Sequence, residues 1–144
     1  MLIKDLQKYL ENKGCNLIGC SNKEIAKIED LYGIELPQTY KDYLLAMGKS
    51  AGDYMKGSSV FYGEIFDLKD GSSRLLQEND FKSLPENAFV FWMHQGYQFA
   101  FFYLNEGDDP PVYFYYEGAN DREFVRKEES LTDFLKKQIA ISGL

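Results

Sequence analysis

A single histidine, His94, is available to act as a general base anywhere in this chain of 144 residues. A Ser-His-acid or Cys-His device needs an imidazole, and His94 lies at the end of a strand pattern, just before a turn. It reads as a hydrogen-bonded sheet histidine, because one histidine without partners specifies no chemistry. Cys15 and Cys20 are the only cysteines. A structural zinc site wants about four ligands and a disulfide scaffold several bridges, so both cysteines read as reduced, non-catalytic thiols. Asp108-Asp109, with Glu106 close by, offers hard oxygen ligands, but the spacing is not that of a calcium-binding loop. Adjacent acids before Pro110-Pro111 read as a solvated loop tip. There is no HExxH, no glycine-rich phosphate loop and no CxxC. No catalytic, cofactor or metal residue is assigned, and the chain is expected not to be an enzyme.

Charge is the stronger signal. The chain carries 16 basic and 23 acidic side chains, a formal net charge of -7, the wrong sign for a phosphate backbone. Between Lys82 and Arg122 there is no Lys or Arg, while Glu86, Glu106, Asp108, Asp109, Glu117 and Asp121 supply six carboxylates. The same stretch holds 12 of the 23 aromatic residues, side chains with large flat faces suited to contact. The residues expected to meet a partner are Glu106, Asp108, Asp109, Glu117 and Asp121, with Tyr103, Tyr115 and Tyr116 beside them. No segment approaches the roughly 18 consecutive apolar residues that cross a bilayer. Lys4, Asp5 and Lys8 interrupt the region where a secretory signal would be apolar, so the protein is expected to be cytoplasmic.

The elements that must position these residues follow from periodicity. Leu2, Ile3, Leu6, Tyr9 and Leu10 recur at helical spacing up to Gly14. Ser21 and Glu24 have capping-box spacing, and Ile25, Ile28, Leu31 and Tyr32 continue an apolar stripe to Gly33. Residues 34–36 are extended before Pro37, and Tyr40, Tyr43, Leu44 and Met47 mark the buried face of a third helix ending at Gly48. The glycine-rich run 48–59 reads as a mobile surface loop, 60–66 as a strand bent at Gly63, and 72–79 as one or two weak helical turns. Residues 88–94 and 97–104 are dense strand candidates joined by a tight turn at Gln95-Gly96. A third strand is expected at 112–116 and a short edge strand at 124–126. A closing helix is capped by Ser130 and has Leu131, Phe134, Leu135, Ile139 and Ala140 as its apolar face. Short connections pair strands antiparallel. The expected fold is α+β: one domain over 1–144, a mainly antiparallel central sheet with helices from both ends of the chain packed on it. In the first long strand, Phe89, Phe91 and Met93 are expected on one face and Val90 and Trp92 on the other, the second face being either covered or open as a contact surface.

This order of signals resembles the SUKH superfamily in its Smi/Knr-like branch. The resemblance rests on Ile28-Glu29, Leu31 to Gly33, and Leu36-Pro37 with Tyr40, Tyr43 and Leu44. It continues through Leu84-Pro85, His94-Gln95-Gly96-Tyr97, Pro110-Pro111-Val112-Tyr113 and the helix from Leu131 to Leu135, so it covers about Ser21 to Ile141. The sequence departs from the pattern at Gly48-Lys49, where a paired glycine is common, and at His94-Gln95, where an acid often precedes the hairpin glycine. The resemblance implies a SUKH-like domain and an immunity protein that neutralises a cognate polymorphic toxin, expected to be basic and nuclease-like, by stoichiometric occlusion. It implies no catalytic set. The expected state is a monomer or weak homodimer, with no nucleic-acid or membrane partner. Two other readings stand beside it: a scaffold or regulator of envelope synthesis, and a small-molecule or metal sensor using a pocket lined by the aromatics and His94.

Overall fold

The computed structural model describes residues 3–118 and 122–144; Met1, Leu2 and Asp121 are among the residues outside it. Along the chain run α1 (Ile3–Asn12), β1 (Leu17–Ile18), α2 (Asn22–Tyr32), α3 (Gln38–Met47), β2 (Ser50–Ala51), β3 (Ser58–Ser59) and α4 (Tyr62–Glu78). There follow β4 (Ala88–His94), β5 (Gln98–Tyr103), β6 (Val112–Tyr116), β7 (Val125–Glu128) and α5 (Leu131–Ile141). Strands β3-β4-β5-β6-β7 form one antiparallel sheet in that order, and β1 pairs with β2 in a second. The α+β class expected from the sequence is the class observed.

Local signals set the helix ends. Ser21 Oγ accepts from the Glu24 amide at 3.1 Å and Glu24 Oε1 accepts from the Ser21 amide at 2.9 Å, a complete capping box. Gly33, at φ 62°, closes the same helix in the left-handed region. Ser130 Oγ accepts from the Asp133 amide at 3.0 Å and opens α5. The β4–β5 turn places both Gln95 (φ 52°) and Gly96 (φ 75°) in the left-handed region, and Gln95, Gly96 and Tyr97 separate the paired His94 and Gln98, so β5 begins one residue later than expected.

The core lies on both faces of the large sheet. On one face α1, α2, α3 and α5 bring Leu6, Leu10, Ile28, Tyr40, Leu44 and Phe134 against Phe89, Phe91, Phe102 and Phe114. On the other, Leu68, Leu75 and Leu76 of α4 meet Val90, Phe99, Phe101 and Tyr115. The second face is thus covered over much of its area, which accounts for strands that are apolar at both alternate sets of positions.

Five expectations change. Residues 60–66 do not form a strand: Val60 and Phe61 lead into α4, whose buried Ile65, Leu68, Ser72, Leu75 and Leu76 follow helical spacing. The aromatic density of Phe61, Tyr62 and Phe66 mimics a strand signal, yet these rings pack from the helix onto the first core. The weak turns expected at 72–79 are the second half of the same helix. The run 48–59 is no surface loop: Ala51, Tyr54 and Met55 are buried, Tyr54 Oη donates to the Leu135 carbonyl at 2.6 Å and the Met55 amide to Ser142 Oγ at 2.9 Å, tying the segment to α5. Leu31 does not continue the apolar stripe of α2, being 62% exposed. Finally, β4 does not alternate strictly, because its register to β5 shifts between Val90 and Trp92. The extra residue, Phe91, is a β-bulge, after which the facing of each side chain is inverted. Phe89, Phe91 and Trp92 therefore share the first core and Val90 and Met93 the second.

Where β1 crosses α3 the backbones nearly touch. The Cys20 amide donates to the Leu44 carbonyl at 2.8 Å, and a Cβ on Gly19 would run into the carbonyl oxygen of Leu45. Gly19→Ala is expected to cost more than about 2 kcal/mol. Gly71→Ala, inside α4 with only ordinary contact to the Met93 side chain, is expected to gain about 0.5–1 kcal/mol; urea unfolding of both variants checks the contrast.

Both cysteines are free and buried. Burial, helped by the charge of Glu24 and opposed by that of Lys49, pushes the Cys20 thiol from its ordinary 9.0 to about 11. Burial raises the Tyr40 and Tyr43 hydroxyls in the same sense. A folded pKa above the unfolded one gives a contribution to stability that is complete below pH 9 and lost as pH climbs through 11. The melting temperature is expected to fall across that window, less steeply in Cys20→Ala, and Cys20 is expected to resist alkylation at pH below 9 until the chain is unfolded.

Candidate functional site

Strand β6 distributes the acidic stretch. Its alternation sends Tyr113 and Tyr115 toward α4 and Val112, Phe114 and Tyr116 toward α5, while the β5–β6 connection leads into one end and the β6–β7 connection leaves the other. Glu106, Asp108 and Asp109 are exposed in the first connection, and Glu117 is exposed at the start of the second. A strand of five residues at about 3.3 Å per residue separates the two groups by on the order of 15 Å. Asp121 lies outside the described residues. The acids and rings singled out in the sequence therefore do not form one continuous patch.

What the fold does bring together is smaller. Tyr103 and Tyr113 meet edge to face with ring centroids 4.9 Å apart, and Tyr113 Oη donates to the Glu106 carboxylate at 3.4 Å. Burial raises both phenols, and the Glu106 charge adds to the shift in each; nearby Lys82 and Arg126 oppose it at Tyr103 and Tyr113 respectively. Those two bases are themselves paired, Lys82 with Glu123 and Arg126 with Glu129. Glu35 joins Asp108 across a shallow depression of about 310 Å³ floored by Leu36, Pro37 and Leu104. Its place beside the acidic loop depends on the chain reversal between α2 and α3, a contact no linear spacing encodes.

Three of the singled-out residues have other surroundings. Tyr115 is 6% exposed, packed between Phe81 at 4.9 Å and Phe99 at 5.5 Å, so its ring belongs to the core. Tyr116 faces α5, stacked on Phe114, with the Lys127 ammonium 5.2 Å above its ring. Asp109 accepts from the Thr132 amide at 3.0 Å and from Thr132 Oγ1 at 2.8 Å. It satisfies an orphan donor at the start of α5 and places its charge where the helix dipole favours it.

A cavity of about 620 Å³ opens on the α5 face, between that helix, the end of β4 and strands β6 and β7. The bulge at Phe91 makes it, because only the inverted facing turns Trp92 and His94 toward α5. Their rings lie parallel within 6° at 5.9 Å, and His94 Nδ1 is hydrogen-bonded to Ser58 Oγ of β3 at 3.1 Å. Phe114, Tyr116 and Phe134 supply further aromatic wall, and Lys56, Lys127, Lys137 and Glu128 the charges. His94 is thus the hydrogen-bonded sheet histidine expected from the sequence and also a wall residue. The lysines come from three separate segments, and none stands out in the sequence. Among the described residues no three His, Cys, Asp or Glu side chains gather as a metal-binding cluster, and no helix is long and apolar enough to cross a membrane.

The sequence profile of the SMI1 / KNR4 family (SUKH-1) matches residues 19–137. The chain belongs to this family. The match covers most of the chain and confirms the SUKH resemblance read from the sequence motifs. In this SUKH-1 chain it begins just before α2 and ends within α5, taking in the acidic loop and most of the cavity wall. No curated protein matches the chain.

Because Asp109 caps a helix while Glu106 is exposed and accepts only the long bond from Tyr113 Oη, the two acids separate structural from surface roles. Asp109→Ala is expected to lower stability by about 1 kcal/mol, and Glu106→Gln to change it by less than about 0.5 kcal/mol, as read from chemical denaturation.

Proposed function

We propose that the chain, acting over 1–144 as one SUKH-like domain, is an immunity protein that binds and neutralises a cognate polymorphic toxin in the cytoplasm. The toxin is a nuclease with a cationic active site, and inhibition is by occlusion without catalysis, the free protein being a monomer or weak homodimer. The observation that carries this reading is membership of the SUKH-1 family over residues 19–137, a family whose bacterial members are chiefly toxin-neutralising proteins. The physical support is the exposed acid loop. A nuclease site must be electropositive to hold phosphate, so carboxylates offered to it gain an attraction that the toxin cannot remove without losing function.

The contact surface in this reading is centred on Glu106 and Asp108, with Glu35 across the depression and the Tyr103–Tyr113 pair as aromatic anchors. Asp109 contributes charge while fixed to α5, and Tyr115 contributes core packing only. Glu117 and Tyr116 belong to the proposal as a second contact at the far end of β6, reached only by a partner spanning the sheet, and Asp121, outside the described residues, belongs to it by its charge alone.

Co-expression with the toxin domain encoded beside this gene tests the assignment: growth arrest that persists while the protein is soluble ends it. Glu106→Lys with Asp108→Lys is expected to slow association by about tenfold at low salt and to flatten its salt dependence. Unchanged association kinetics would remove the electrostatic mechanism while leaving neutralisation intact.

A further inference from the structure

We propose that the cavity beneath α5 is a binding site for a small planar anion, an aromatic ring carrying a phosphate or carboxylate group. The proposal is independent of the toxin reading. The space, about 620 Å³, falls within the roughly 300–1,000 Å³ typical of small-molecule sites, and its aromatic walls present flat faces on which a ring can stack. Trp92 and His94 are already parallel, with the imidazole pinned through Nδ1 to Ser58, so the stacking platform exists before a ligand arrives.

The charges select the sign. In a protein of net charge -7, this cavity gathers Lys56, Lys127 and Lys137 against one carboxylate, Glu128. Glu128 is committed to Lys137 at 2.9 Å. Lys56 has only a long, solvent-exposed contact to Asp53 at 3.8 Å, the kind of pair that is worth little. Lys127 rests over Tyr116. Two ammonium groups thus remain for an incoming anion, and a cation would meet repulsion.

The wall also carries neutral polar groups. Gln138 and Gln98 line the cavity, and a side-chain amide can both donate to and accept from a ligand.

Trp92 is the only tryptophan in the chain, so its fluorescence reports on the cavity directly. Titration is done with adenosine monophosphate and with 4-hydroxybenzoate, which separate a phosphate from a carboxylate source, and with adenosine and inorganic phosphate as controls. A saturable change with one of the two ring anions is expected, at least tenfold weaker with either control, together with a raised melting temperature. Lys127→Gln, at a surface position that leaves the core untouched, is expected to weaken binding by about tenfold, as the loss of a charge-assisted hydrogen bond would. A response that stays proportional to concentration for both ring anions, with no thermal shift, overturns the proposal. So does adenosine binding as tightly as its monophosphate. Saturation by an acidic aromatic peptide with neither small anion bound also overturns it, and assigns the cavity to a protein partner.

Discussion

The pairing of β4 with β5, and the one extra residue it accommodates, governs both cores and the cavity. Strand β5 alternates without interruption: Phe99 and Phe101 face α4, and Ala100 and Phe102 face the other helices. Strand β4 matches it only up to Val90, pairs again from Trp92, and leaves Phe91 over. Side-chain facing has a period of two, so a single inserted residue inverts everything beyond it. Without the bulge Trp92 and His94 would turn toward α4, and Met93 would fill the space under α5. The same displacement brings Phe91 onto Phe134 at 5.1 Å and Trp92 onto Phe134 at 5.9 Å, which seats α5 against the sheet.

Burial on both faces explains the aromatic content. Tyr40 alone touches Tyr43, Phe89, Phe91 and Phe102 with centroids between 5.3 and 6.1 Å. A comparable set on the other face links Phe81, Phe99, Phe101, Tyr115 and Phe124. Rings that look like a contact surface when read along the chain are mostly filling two layers between sheet and helices. Those left at the margin include Tyr103 and Tyr113 on one side and, at the other end, Tyr116 and the exposed Tyr97 beside His94.

Much of the fold was legible because it is written in short-range signals. The Ser21–Glu24 capping box, the Gly33 and Gly48 stops, the Gln95-Gly96 turn, the limits of β6 and the Ser130 cap each involve residues within a few positions of one another. Where the reading failed, the deciding interaction is distant in sequence. The helix at 62–78 was obscured by aromatics whose partners lie on α2 and the sheet. The segment 48–59 is ordered by Leu135 and Ser142, more than eighty residues away. The bulge at Phe91 leaves no composition signal, because every residue around it is apolar. The cavity, assembled from β3, β4, β5, β6, β7, α5 and the Met55-Lys56 turn, is therefore the feature least accessible to a linear reading.

Net charge is a sum, and function depends on where its parts are placed. The stretch without a base between Lys82 and Arg122 is real, but the chain folds it so that other segments supply what it lacks. Lys82 and Arg126 border the acidic end, and Lys56, Lys127 and Lys137 surround the cavity beside Tyr116. The acids divide likewise: Asp109 is used to start α5, Glu128 to hold Lys137, while Glu106 is exposed with only the long hydrogen bond from Tyr113 Oη and Asp108 is exposed beside it. A carboxylate already accepting two hydrogen bonds from a helix start is held by the fold, because withdrawing it would leave the Thr132 amide unpaired. Free acids at one end and free ammonium groups in the α5 cavity give this small domain two chemically opposite faces.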